Sequence, residues 1–152
     1  MFLLNSAFLN FDLRFAHPRL ADCCKPGMRI LIADDQRSVG TSLADLVRSC
    51  DHHIVAVVGS GVEAIQAYSL HHPDLVLMDY WMPKLNGVTA CRNIVAKDPT
   101  ARVILVSAWA PANALVGESG ALMLLPKPVD LDNLANALDT VAHTLPLSAS
   151  SK

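Results

Sequence analysis

The sequence lacks a surplus of charge of either sign. Twelve Lys and Arg stand against fourteen Asp and Glu, a net charge of -2 at pH 7. No basic excess advertises a nucleic-acid partner, and no acidic run marks a solvating tail. A membrane-length apolar run is also missing, although the mean hydropathy is +0.34. The longest uncharged interior run, Val103 to Gly117, is too short to span a bilayer and is interrupted by Pro111. Nor is there a disulfide framework. Of four cysteines, Cys23 and Cys24 are adjacent, Cys50 and Cys91 lie alone in expected helices, and no C-x-x-C occurs. That usage fits reduced thiols and a cytoplasmic location. What remains is a chain of 152 residues, 52% hydrophobic and 17% charged. This excludes intrinsic disorder and fits one domain with a sizeable core.

The first 27 residues, MFLLNSAFLNFDLRFAHPRLADCCKPG, do not match the rest of the chain. They open apolar, and their phenylalanines keep no sustained helical or strand period. A signal peptide places positive charge first and small residues at its cleavage site. Here Arg14 and Arg19 come after the apolar part. Leu20-Ala21-Asp22-Cys23 resembles a lipoprotein cleavage box only faintly, because Asp22 stands where a small residue is needed. Met28 then opens a clean strand, MRILIADD. Two readings stay open: a poorly ordered extension before a natural start at Met28, or a short docking segment that covers an apolar patch. The expected domain is 28–145, and the Ser-rich tail 146–152 is expected to fray.

From Met28 onward, strand and helix patterns alternate. Arg29 to Ala33 is a short apolar run, and Arg37 to Ser49 sets Val39, Leu43, Leu46 and Val47 on one helical face. His53 to Val58 is β-branched and stops at Gly59-Ser60-Gly61; Val62 to Leu70 reads helical. Asp74 to Met78 is a third strand, and a helix is expected over Val88 to Lys97. Arg102 to Val106 and Leu122 to Leu125 complete five strands. Asp130 can cap a last helix whose Leu131, Leu134, Leu138 and Val141 share a face. The strands are near-continuous apolar runs, which predicts an α/β fold with a single parallel sheet covered by helices on both faces.

The distinctive polar residues fall at strand C-termini. Asp34 and Asp35 follow the first strand, Asp79 ends the third, Ser107 ends the fourth, and Lys127 follows the fifth. In open α/β sheets ligands bind at this edge. Three carboxylates delivered to one rim repel unless a hard divalent cation, Mg²⁺ or Mn²⁺, neutralises them. A lysine and a hydroxyl beside them suit a phosphoryl group, with Asp79 as a carboxylate nucleophile.

Taken together, these motifs resemble the receiver domain of two-component response regulators. The resemblance is carried by Asp34-Asp35, by Asp79 with the Met82-Pro83 and Asn86-Gly87 loop, by Ser107-Ala108, and by Lys127-Pro128. It implies a flavodoxin-like sheet of order 2-1-3-4-5. It also implies that Asp79 is the phosphoacceptor. Asp35 and Asp79 would be Mg²⁺ ligands, Asp34 would hold the ion largely through water, and the Trp81 backbone carbonyl would be a further ligand. Lys127 and Ser107 would contact the phosphoryl oxygens, with Ser107 as the switch. The Lys127–Pro128 bond is expected to be cis. The implied partners are a histidine kinase or histidine phosphotransfer protein and a downstream effector protein. The chain is then a monomer or a weak phosphorylation-dependent dimer.

Several motifs compete with this reading. Asp34-Asp35 alone would fit a helix N-cap. Gly59-Ser60-Gly61-Val62-Glu63-Ala64 matches a dinucleotide fingerprint, but follows the second strand and leaves the rim residues unexplained. It is read as a glycine-permitted turn. His52-His53 and His71-His72 lack metal-ligand spacing and read as exposed loop histidines; Cys91 and Met78 read as core. A phosphatase with an aspartyl-phosphate intermediate wants D-x-D, and Asp79-Tyr80-Trp81 lacks the second aspartate.

Four departures from the receiver pattern stand out. Leu124 occupies the usual aromatic switch position, and the Ser107–Lys127 interval is short, with Pro111 and Gly117 in a poor fourth helix. Trp81 and Trp109 lie two residues past Asp79 and Ser107, where bulk can exclude attacking water and slow autodephosphorylation. No output domain comes after the last helix, so the expectation is a stand-alone receiver that is a signalling switch rather than an enzyme. The alternative is a pseudo-receiver, an interaction module that is not phosphorylated.

Overall fold

The structure, a computed structural model, describes residues 27–109 and 113–144. The extension before Gly27, the tail from residue 145 and Pro111 lie outside the described residues. Strands and helices alternate: β1 (Arg29–Ala33), α1 (Arg37–Ser49), β2 (His53–Val58), α2 (Gly61–His71), β3 (Leu75–Asp79), α3 (Gly87–Lys97), β4 (Val103–Ser107), α4 (Asn113–Ser119), β5 (Met123–Pro126) and α5 (Leu131–Thr144). The five strands pair in parallel in the order β2-β1-β3-β4-β5. This is the flavodoxin-like order that the resemblance implies. The Lys127–Pro128 bond is cis.

The parallel sheet arises from the apolar runs. β3 and β4 are buried along their whole length, while the edge strands β2 and β5 are partly exposed. Because strand side chains alternate between faces, the sheet separates two cores. Ile30, Ile32, Leu75, Leu77, Ile104 and Val106 pack with α1 and α5. Leu31, Ala33, Val76, Met78, Val103 and Leu105 pack with α2 and α3. Cys91 and Met78 are fully buried in this second core, and burial pushes the Cys91 thiol up to about 11.

Helix ends are fixed by local chemistry. The Ser60 hydroxyl accepts from the Glu63 amide at 3.2 Å, and the Glu63 carboxylate accepts from the Gly59 amide at 3.0 Å. This capping arrangement is a variant of the capping box in which the Glu63 carboxylate takes the amide of the residue before the Ser60 N-cap, and it accounts for the glycine-rich turn that imitates a nucleotide fingerprint. A side chain at Gly61 would overlap the Leu85 carbonyl, so glycine there lets the β3–α3 loop approach. Asn86 caps α3 through the Thr89 amide at 2.9 Å, and Asp130 caps α5 through the Asn133 amide at 2.7 Å.

Several boundaries differ from the sequence expectation by one residue. β3 and β4 extend to include Asp79 and Ser107, and β5 runs Met123–Pro126 rather than Leu122–Leu125. The ladder decides: Ser107 pairs with Pro126, and Asp79 with Val106. α4 spans seven residues, the short fourth helix that Gly117 and Pro111 foreshadow. The paired histidines His52-His53 and His71-His72 are not uniformly exposed loop residues. His52 is half-buried, and its Nδ1 accepts the Met28 amide at 3.0 Å. His71 is the last residue of α2 and His72 its left-handed C-cap.

Candidate functional site

Every polar residue singled out at the strand ends arrives at one rim. Asp34 follows β1, its amide bound to the Val58 carbonyl at 3.0 Å. Asp79 ends β3, Ser107 ends β4, and Lys127 follows β5. Asp79 is 5% exposed and Ser107 2% exposed, whereas Asp35 faces solvent. Carboxylate oxygens of Asp34, Asp35 and Asp79 lie within 4.8 Å of one another. Among the described residues this is the acidic group with metal-ligand spacing.

Lys127 binds two of the three carboxylates. Its Nζ lies 2.9 Å from Asp34 Oδ2 and 3.1 Å from Asp79 Oδ1. Asp34 Oδ1 accepts the Gln36 amide at 2.9 Å. Both Asp34 oxygens are therefore engaged, while Asp35 and the second oxygen of Asp79 have no such partners among the described hydrogen bonds. Burial holds the Asp79 carboxyl above its usual range. Lys127 pulls it down, and the charges of Asp34 and Asp35 push it up again. Burial acts to lower Lys127, but its hydrogen bonds to Asp34 and Asp79 outweigh it and the net shift is upward.

The backbone frame around Asp79 is tight. The Tyr80 amide donates to the Val106 carbonyl at 2.9 Å, and the Gly87 amide donates to the Tyr80 carbonyl at 2.9 Å. A side chain at Gly87 would overlap the Asp79 carbonyl, which is the physical reason for glycine in the Asn86-Gly87 pair. The Lys127 amide donates to the Ser107 carbonyl at 2.8 Å, tying the lysine to the hydroxyl-bearing strand. Ser107 Oγ accepts the Trp109 amide at 3.1 Å.

An aromatic cluster edges the opening. Trp81 is 65% and Trp109 51% exposed. The Tyr80 ring lies edge-on to Trp81, centroids 4.8 Å apart at 88°, and tilted 31° against Trp109 at 6.2 Å. Leu124 is half-buried, packs into the α2/α3 core and pairs with Leu105 across the ladder. Sequence reasoning misses Tyr80 and the Asp34–Lys127 pair. Adjacency to Asp79 is the available signal for the first; the second depends on the Lys127 side chain, just after edge strand β5, reaching across β4 and β3 to the end of β1.

Three carboxylates against one lysine leave the rim with net negative charge and an all-oxygen donor set. That set fits a hard divalent cation. Asp34, Asp35 and Asp79 are the carboxylates that could hold it, Asp34 with both oxygens already engaged. The Gly59–Gly61 turn, by contrast, is used in capping α2 through Ser60 and Glu63.

Comparison with known proteins agrees with this geometry. The response regulator receiver domain family matches residues 30–139. The chain is 34% identical to chemotaxis protein CheY of Listeria monocytogenes over 117 residues, covering 76% of this chain and 98% of that protein. It is 33% identical to CheY of Bacillus subtilis, covering 73% and 94%. Among solved structures, the CheX-CheY-BeF3-Mg complex of Borrelia burgdorferi is similar at TM-score 0.70 and 31% identity, covering 74% of this chain and 87% of that one. No helix among the described residues is long and apolar enough to cross a membrane.

Proposed function

From the premise that the chain belongs to the response regulator receiver family, we propose that it is a Mg²⁺-dependent phosphoacceptor switch charged on Asp79. The observation that carries this reading is the meeting of Asp34, Asp35 and Asp79 with Lys127 bridging two of them. The Asp79 carboxylate attacks the phosphorus of a phosphohistidine on a kinase or phosphotransfer protein. An O–P bond forms, the N–P bond breaks, and the departing imidazole nitrogen keeps the electron pair and takes a proton. When bound, Mg²⁺ offsets the charge of the carboxylates and the phosphoryl oxygens; Asp35, Asp79 and the Trp81 carbonyl would hold it, with Asp34 acting through water. Lys127 offsets part of the burial penalty on the Asp79 carboxylate, then pairs with a phosphoryl oxygen. Ser107 donates its hydroxyl proton to another. The exposed Trp81 and Trp109 screen the site from water, so the acyl phosphate hydrolyses slowly; Trp81→Asn is expected to shorten its lifetime.

The domain works in the cytoplasm, monomeric or weakly dimeric when phosphorylated, and passes its signal to an effector protein. Purified protein with acetyl phosphate and Mg²⁺ is expected to gain a phosphoryl group by intact mass, and Asp79→Asn to gain none. Leu124 and the seven-residue α4 favour a second reading, a pseudo-receiver that binds partners without phosphorylation. No wild-type adduct in the same experiment would select it.

A further inference from the structure

The switch surface is a separate matter, and it rests on the phosphoacceptor reading. We propose that Trp109, riding on Ser107 and sliding over a fixed Tyr80, is the positioning residue that turns phosphoryl capture into a surface change. A hydroxyl accepts and donates at once. Ser107 Oγ accepts the Trp109 amide at 3.1 Å, which leaves its proton for a phosphoryl oxygen on Asp79. Drawing Oγ toward Asp79 therefore either carries the Trp109 peptide along or breaks its hydrogen bond. In both cases Trp109 loses the anchor that now sets its position against Tyr80.

Tyr80 cannot follow. Its amide is bound to β4 through Val106 and its carbonyl accepts from Gly87, each at 2.9 Å. Its ring packs into the α2/α3 core and stands edge-on to Trp81. The Trp109 ring meets this anchored ring at 6.2 Å, toward the far end of the ~4.5–7 Å range of productive aromatic contacts. A displacement of about an ångström changes such a contact. Because Trp109 is 51% exposed, the change appears at the surface. Leu124 on β5 is aliphatic and packed in the core, and offers no ring for the hydroxyl's movement to reposition. The readout is thereby shifted to the β3/β4 rim.

The chain has two tryptophans, so Trp81→Phe leaves Trp109 as the only one and keeps an aromatic edge beside Tyr80. This full-length variant is titrated with beryllofluoride and Mg²⁺ while fluorine NMR reports occupancy and fluorescence reports Trp109. The expected result is an emission shift that tracks occupancy. At equal occupancy, adding Ser107→Ala removes most of the shift, Ser107→Thr retains it, and Tyr80→Leu changes its size. A full shift persisting in Ser107→Ala means that Trp109 senses the bound anion directly and overturns the proposal. Occupancy without any shift overturns it as well, with the phosphoacceptor reading intact. Absence of the fluorine signal from the parent protein sinks that reading and the proposal together.

Discussion

At the N-terminal edge of the sheet, charged and polar side chains close on the backbone or on neutral partners. Arg29 donates to the His71 and His72 carbonyls at 2.8 and 3.1 Å, and its amide is taken by Asp74 at 2.7 Å. Tyr68 donates to Asp98 at 2.7 Å, which also takes the Thr100 amide and hydroxyl. At the C-terminal edge, carboxylates face one another across less than 5 Å with a single lysine between them. One edge is electrostatically finished by its own atoms; the other is balanced only when something positive arrives. The same secondary-structure elements supply both, so a polar residue at a loop says little by itself. Whether its partners are internal separates the functional edge from the structural one.

The strongest way to break the contrast is to remove the internal cation. Lys127→Met should destabilise the fold by about 2 kcal/mol, less than the ~3–5 of a fully buried pair because Lys127 keeps some exposure. Urea unfolding with and without Mg²⁺ checks this, with Mg²⁺ expected to stabilise the variant more than the wild type. Equal Mg²⁺ effects would mean that the carboxylates do not repel. Next in size, Gly87→Ala forces a methyl into the Asp79 carbonyl and should cost about 1–3 kcal/mol. It should also lower the acetyl phosphate adduct yield.

The other edge gives smaller effects. Tyr68→Phe loses one hydrogen bond and should cost about 1 kcal/mol, with adduct yield unchanged. A change in yield would show that the two edges are coupled. The smallest effect is a pH dependence at His52. Burial lowers its folded pKa below the ordinary 6.5; Asp51 raises it and His53 lowers it further. Above that value both states are neutral and the Met28 bond is fully present. Below it the unfolded chain protonates first, so stability is lost as pH falls through the folded value. His52→Asn keeps an acceptor that does not titrate, and urea midpoints at about pH 7.5 and 5.5 should differ less than in the wild type.

Much of this arrangement is readable from residue order. Short, near-continuous apolar runs such as Leu75–Met78 and Val103–Val106, set between helical patterns, read as buried strands, and the polar residue that ends each run falls at the sheet's edge. Asp34, Asp79, Ser107 and Lys127 are legible for that reason. Interactions set by register and loop path are not. That Lys127 binds Asp34 as well as Asp79, and that Tyr80 lies between two tryptophans, depends on how strands distant in sequence lie side by side. His52 is misjudged from sequence because a histidine pair next to Asp51 looks solvated by composition, while its ring is an acceptor for the backbone amide of Met28, the residue before β1.

The division of the interior by the sheet has a consequence for how the domain tolerates change. Leu138 and Ile94 sit in cores that have no residue in common. A void opened on one side cannot be relieved by side chains on the other, because a hydrogen-bonded ladder stands between them. Substitutions in the two chambers should therefore add without interaction, as distant sites do. Each half can drift in sequence at its own pace, constrained by its own volume alone.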